Sequence, residues 1–269
     1  MVHCRSGSYR LLFGVLVASL LSGPSFAQGP PGRTSPSPDA LQTIDSLRQV
    51  GDFRTALGQL NDLAQAHPES VDVLWRYAVL WSDYGKATDS ERTAVGAYQQ
   101  ALKRADQALR VAEGSAWAHL SKAAAAGRAA LHAGSNKRSI QLSRAVKEHE
   151  DRAIELDSTL AAAYHIRGVW HREVASLGFF TRAVVQTVYG GLPDASYEDA
   201  VADLKRASAL ETRAHHHLEL GRTYLKMGET EAARAQLQIA LEVPPADPFA
   251  PQNKAKARRL LTRLEQSKM

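Results

Sequence analysis

Apolar residues between positions 214 and 245 recur at three- and four-residue intervals in two runs separated by one glycine turn, in the string AHHHLELGRTYLKMGETEAARAQLQIALEVPP. That spacing keeps one face of each run apolar and predicts two amphipathic helices. Gly221 and Ala233 are small, so the two helices can approach closely, and Tyr224 and Leu237 fill the space beside them. Gly228 can take the positive φ that ends the first helix. The same pattern recurs upstream. Helices are expected at 41–50 and 53–67, with Ala56 at the close approach and Pro68 as the stop. A second pair starts at Val71 with Leu74, Ala78 and Trp81 inward, and its partner helix covers 94–112 after a polar loop at 83–93. A third starts at Ala116 with Leu120 and Ala123 inward, turns at 134–136 and ends at Leu156. A fourth starts at Ala161, where Tyr164, Gly168 and His171 stand where His217, Gly221 and Tyr224 stand in the fifth, and its partner helix is 197–210. A last helix, 249–266, carries Lys254, Lys256, Arg259 and Arg263 on a polar outer face, as a cap requires.

The order Leu220-Gly221, Tyr224, Gly228, Ala233, Leu237, Ala240 and Pro245 has the spacing of the tetratricopeptide-repeat signature. One such unit cannot bury its apolar face alone, so its neighbours must stack on it. The fold class expected is all-α: a right-handed α-solenoid of four to five tetratricopeptide-like units over residues 40–269. A composition rich in alanine and leucine agrees with it. One segment breaks the repeat. Residues 176–196 are too apolar for a solvated loop, since Leu177, Phe179, Phe180, Val184, Val185, Val188 and Tyr189 recur at near-helical spacing. The segment reads as an extra amphipathic helix packed over the solenoid, or as a lid or membrane-surface contact, with Gly190-Gly191 and Pro193 as hinge or terminator.

The N-terminus places the scaffold. His3, Arg5 and Arg10 precede an apolar run at 11–21, then Gly23-Pro24 and the small-residue pattern Ser25-Phe26-Ala27. This is the pattern of a secretory leader cleaved near Ala27, giving a periplasmic or secreted protein. The run is too short to span a bilayer, and no stable membrane span is expected. Residues 28–39 are proline- and serine-rich and read as a disordered linker. Cys4, the one cysteine, falls inside the leader, so neither a disulfide nor a thiol nucleophile is expected of the mature chain. The 33 basic and 28 acidic residues give a net charge of +5. Loss of Arg5 and Arg10 leaves +3, interleaved as on solvated helix faces, and nucleic-acid binding is not expected.

A narrower resemblance rests on pieces in a set order. Leu74-Trp75-Arg76 comes first, then His149, Ala153 and Leu156-Asp157, then Gly168 and Trp170. Ser176-Leu177, Arg182, Gly190 and Pro193 follow, and last Ala195, Tyr197-Glu198 and Ala200. Over residues 45–262 this resembles the regulator of microtubule dynamics family, with departures at Ser158, where that family tends to proline, and at Phe179, where tryptophan is expected. The resemblance implies a helical-repeat fold, no catalytic motif, and association with microtubules, organelle contacts or lipid handling. A leader sequence takes the chain away from tubulin, so a literal microtubule role is not the expectation here.

Catalytic and metal signatures are thin. His149-Glu150 opens like a metalloprotease helix, but Ala153 stands where the second ligand is needed. His215, His216 and His217 fan over about 200° of a helix, so at most two can share an ion. No enzyme activity, cofactor or metal is expected. Ligands of similar repeats lie on the concave face, at positions 2, 5, 9 and 12 of each first helix. Here the face reads Asp72, Trp75 and Val79, then Trp117 and Leu120, then His165, Val169 and Arg172, then His215, Leu218 and Arg222. Its first half is apolar with one acid, and its second half carries two arginines. Such a trough suits a partner protein's amphipathic helix, with a basic residue meeting Asp72. The alternative occupant is a phospholipid or other amphiphile, with its anionic head at Arg172 and Arg222.

Overall fold

The computed structural model describes residues 35–266; the leader expected at 1–27 lies outside them, as does most of the 28–39 linker. Twelve helices and no strands are found among the described residues. They pair as stacked hairpins: α1 (Pro38–Val50) with α2 (Phe53–Ala66), α3 (Val71–Ala87) with α4 (Glu91–Val111), and α5 (Ala116–Leu131) with α6 (Asn136–Leu156). Then α7 (Ala161–Ala175) pairs with α9 (Tyr197–Leu210) across the inserted α8 (Phe179–Tyr189), and α10 (Ala214–Met227) pairs with α11 (Thr230–Glu242). Helix α12 (Ala250–Gln266) covers the last pair. The result is a helical solenoid of tetratricopeptide-like repeats.

Local chemistry sets the helix starts. Ser37, Asp52, Ser70, Ser90, Ser115, Ser135 and Ser196 each accept a backbone N–H from the first turn of the helix they precede. Two expectations change as a consequence. The first described helix begins at Pro38, inside the stretch read as linker, because proline suits the first helical position and Ser37 caps it. The long 83–93 loop does not exist. Helix α3 continues to Ala87 and α4 starts at Glu91, so the extra residues lengthen two helices instead of forming a loop. Gly85 permits this: a Cβ there would lie 2.6 Å from Cε1 of Tyr98 on α4.

The core is a chain of small interfaces. A Cβ on Gly168 would lie 2.8 Å from Cγ of Leu204, and one on Gly221 would lie 2.7 Å from Cγ of Leu237. The close approach assigned to Gly221 and Ala233 is present, since a Cβ on Gly221 would also lie 3.3 Å from the Ala233 carbonyl oxygen, and α7 and α9 repeat it at Gly168. Leu218, Leu237, Ala240, Ala257 and Leu261 join α10, α11 and the cap. One interface is not between sequence neighbours. Phe249, just before α12, is buried in the cluster of the first hairpin with Ile44, Phe53 and Leu60, and its ring stacks on Phe53 at 5.8 Å. Lys86 Nζ lies 3.5 Å from the centroid of the Phe249 ring. The solenoid thus meets its own beginning, and the cap is a clasp as well as a lid.

Candidate functional site

The first helix of each hairpin supplies the face under test, and position 5 of one repeat meets position 2 of the next. On α3 and α5 this contact is Trp75 against Trp117, with ring centroids 4.6 Å apart and planes inclined by 22°. Trp75 is buried, its indole N–H donates to Asp72 Oδ1 at 3.3 Å, and the Arg76 guanidinium lies 4.2 Å from its ring centre. Trp117 is 41% exposed. An aromatic ring is thus fixed on one side by a buried partner and open to solvent, beside the exposed carboxylate of Asp72. Holding a ring in this way lowers the ordering cost of binding another apolar group.

On α7 and α10 the same two positions hold His165 and His215, again with ring centroids 4.6 Å apart, now edge to face. His216, the next residue, brings its Nδ1 within 3.0 Å of His165 Nδ1. Ligand-capable nitrogens of the three rings all lie within 4.8 Å of one another. His216 is fully buried and its Nε2 has no hydrogen-bond partner. Asp247 Oδ2 stands 3.7 Å from His215 Nδ1. Burial, then the neighbouring imidazoles, holds His165 well below the usual histidine range and takes His216 down to about 3. Both rings are neutral at physiological pH. His217 lies apart, with its Nδ1 2.9 Å from Gln236 Oε1.

Several face residues are not where a ligand could reach them. Arg172 is 2% exposed, donates to Glu173 Oε1 at 2.7 Å and is ion-paired with Glu219. It is a structural cation and not a free one, which removes the headgroup site expected there. Arg222 is exposed but also pairs with Glu219, at 3.2 Å. Leu120 is buried with Ala153, Leu160 and Ala163, and Leu218 is covered by Ala257 and Leu261 of the cap. Val79 and Val169 are half-buried and pack sideways onto core clusters. The cover differs with the position: α10 closes over Arg172, α6 and the start of α7 over Leu120, and the cap helix over Leu218. Of the expected face, Asp72, Trp117 and Arg222 remain exposed, and His165 and His215 are half-exposed.

The insertion is a helix tied to α6, the second helix of its hairpin, and not to the face of first helices. Arg144 of α6 donates to the carbonyls of Tyr189 and Gly191, and Val185 is the one buried residue of α8. Phe179 and Phe180 are 81% and 83% exposed, and Val184 and Val188 are exposed too. Between α6 and the 190–193 turn lies an open cleft of about 550 Å³, lined by Arg144, Lys147, Glu148 and Asp151 among others. Its charges are mixed and Arg144 is committed to carbonyls, so it offers no clear ligand chemistry.

The histidine grouping was missed from sequence. Counting ligands along one helix finds His215–His217 and stops; the third member comes from the preceding repeat. The signal was present, because His165 and His215 occupy positions 5 and 2 of neighbouring repeats.

Hairpins stacked on close-approach glycines, with a face of first helices and no strand among the described residues, define a tetratricopeptide-repeat-like protein. The chain belongs to the regulator of microtubule dynamics protein 1-3 family, which matches residues 40–265. It is 28% identical over 209 residues to regulator of microtubule dynamics protein 1 of Bos taurus, covering 77% of this chain and 65% of that one. It is 28% identical over 208 residues to regulator of microtubule dynamics protein 3 of Rattus norvegicus, covering 76% of this chain and 44% of that one. The chain thus spans just under two thirds of one relative and less than half of the other. Among solved structures it is similar to a thermophilic tetratricopeptide-repeat protein of Thermus thermophilus. The TM-score is 0.59 and the identity 19%, over 82% of this chain and 98% of that one, a likeness of fold alone. No described helix is long and apolar enough to cross a membrane.

Proposed function

We propose that the protein is a non-enzymatic scaffold that binds a partner protein through the rim of its first-helix face, with Trp117 as the anchor and Asp72 beside it. The observation that carries this reading is the Trp75–Trp117 stack, where one indole is locked in the core and the other stays exposed at 41%. Rigid, half-exposed tryptophans are the side chains that dominate protein interfaces. The partner segment this suits is an amphipathic helix that sets an apolar side chain on Trp117 and a basic one near Asp72. The leader-like N-terminus supports action outside the cytoplasm, after cleavage near Ala27. The relatives carry a name that concerns microtubules; a chain routed to export would not meet tubulin, so tubulin is not the partner we put forward. The amphiphile reading loses its main support once Arg172 is paired and buried.

Photo-crosslinking in the native host tests the proposal. A benzophenone amino acid at position 117 should give a discrete protein adduct that Asp72→Lys weakens, and the same group at Lys205, exposed on α9, should not. Equal adducts from both positions, or a lipid adduct alone at 117, would overturn it. Fractionation with N-terminal sequencing checks the route: an intact Met1 would remove cleavage near Ala27, and confinement of the protein to the cytoplasm would remove the export part.

A further inference from the structure

We propose that His165, His215 and His216 form a binding site for one zinc-class divalent cation, with Asp247 orienting His215 from behind. The geometry is close to what such an ion needs. Tetrahedral Zn–N bonds of about 2.0–2.1 Å put neighbouring ligand nitrogens roughly 3.3 Å apart. The His165 and His216 Nδ1 atoms are already 3.0 Å apart. The widest separation in the trio is within 4.8 Å, and half-buried His215 has the freedom to close it.

The His165–His216 contact joins two neutral rings through Nδ1 at 3.0 Å, where one ring donates and the other accepts, and an ion would take the place of that single shared proton. His216 Nε2 is buried without a partner, and ligation through Nδ1 leaves it so. A second histidine pair in the same molecule shows the contrast. His119 and His149 also meet through Nδ1 atoms, at 2.9 Å, but His119 Nε2 lies 2.8 Å from the Glu113 carbonyl. That pair belongs to a completed hydrogen-bond chain and has no third imidazole.

Donor type selects the ion. Three imidazole nitrogens with no oxygen cage suit Zn²⁺ and its borderline neighbours, and do not suit Mg²⁺ or Ca²⁺. Asp247 stands 3.7 Å from His215 Nδ1 and also accepts the Phe249 N–H at 2.8 Å, so it is itself fixed. A carboxylate behind one nitrogen of a ligand ring holds the proton there and frees the other nitrogen for metal. Three protein ligands leave one position open. The ion would join α7 to α10, two helices already linked by the Arg172–Glu219 pair.

The test uses the full chain without a histidine tag, titrated with Zn²⁺ against a chromophoric chelator, and Co²⁺ as a spectroscopic stand-in. One ion per chain is expected, with a tetrahedral Co²⁺ spectrum and a melting temperature raised by Zn²⁺ but not by Mg²⁺. Asp247→Asn should weaken binding by about 10- to 100-fold, and His215→Ala should weaken it further. His149→Ala should bind as the parent does. His215 is half-exposed, so its variant keeps the fold, and circular dichroism confirms this; His165→Gln serves as a second removal. No binding by the parent at micromolar Zn²⁺ would overturn the proposal. So would unchanged affinity in both His215→Ala and His165→Gln, or a loss in His149→Ala equal to theirs.

Discussion

The contact between Trp75 and Trp117 and the contact between His165 and His215 are the same contact made twice. Both join position 5 of one repeat to position 2 of the next, and both place ring centroids 4.6 Å apart. The repeat dictates that two side chains meet there, and it leaves open what they do. Where the pair is indole on indole, stacking closes one ring into the core and leaves the other as a dry anchor facing water. Where it is imidazole on imidazole, nitrogens converge, and His216 and Asp247 complete a polar cluster. The equivalent positions of the middle repeats, Leu120 on α5 and Ala162 on α7, carry neither a ring nor a ligand nitrogen. One scaffold thus carries two different surfaces within a few turns of helix.

The comparison breaks first at Arg172. If the second half of the face is structural, Arg172→Glu should cost about 3–5 kcal/mol in urea unfolding, because it removes the buried cation shared by Glu219 and Glu173 and puts a buried acid beside them, with only the exposed Arg222 left on Glu219. Sequence alone suggests the opposite, a nearly unchanged melting curve. The two tryptophans should separate next. Trp75→Ala should cost about 3–5 kcal/mol as a core truncation. Trp117→Ala should cost only about 1 kcal/mol of stability, the worth of its stack, while reducing partner crosslinking. Equal losses of stability would mean that Trp117 is no anchor.

A smaller effect reads the buried polar side through pH. Glu150 on α6 is fully buried, neither of its oxygens has a partner, and burial raises its pKa well above 4.5. The unfolded chain ionises this group near 4.5, and the folded chain does so only at a higher pH. Its contribution to stability is therefore fully present below about 4.5 and is lost as pH rises through the folded value. Glu150→Gln removes that loss, so the variant should gain on the parent between pH 5 and 8 in denaturant titrations. A constant difference across that range would show that Glu150 is ionised in the fold. The smallest effect is expected furthest from both pairs. Phe179→Ser with Phe180→Ser on α8 should change stability by no more than about 0.5 kcal/mol, since both rings are solvated. A larger loss would mean that α8 packs more tightly in solution.

Much of the fold could be read from the chain because its devices are local. Gly221 and Ala233 mark a close approach and Gly228 a left-handed stop; the serine caps are as local, and passing over Ser90 is what turns the short α3–α4 connection into an expected long loop. The face was harder. A position number says which way a residue points along its own helix, but not what the next helix covers, so Leu120, Leu218 and Arg172 look open in sequence and are shut in structure. Arg172 is the clearest case, since its partner Glu219 lies 47 positions away. The α8 segment was legible as a helix from its period; its exposed face was not, because periodicity marks an apolar side without saying that anything packs on it.

The Phe53–Phe249 stack changes what kind of polymer this protein is. An open solenoid is a string of neighbours, in which each repeat feels only the next and the ends can fray independently. Here the string is knotted back to its start by one aromatic clasp, helped by Lys86 over the Phe249 ring. Fraying from the first hairpin must then also release the last, and the two ends share one fate. Folding has to wait for a contact spanning nearly the whole described chain, which favours a slow, all-or-none transition over stepwise zipping. Ending the chain before Phe249 would accordingly be felt at its opposite end as well as under the cap, because Ile44, Phe53 and Leu60 would lose the ring that seals them.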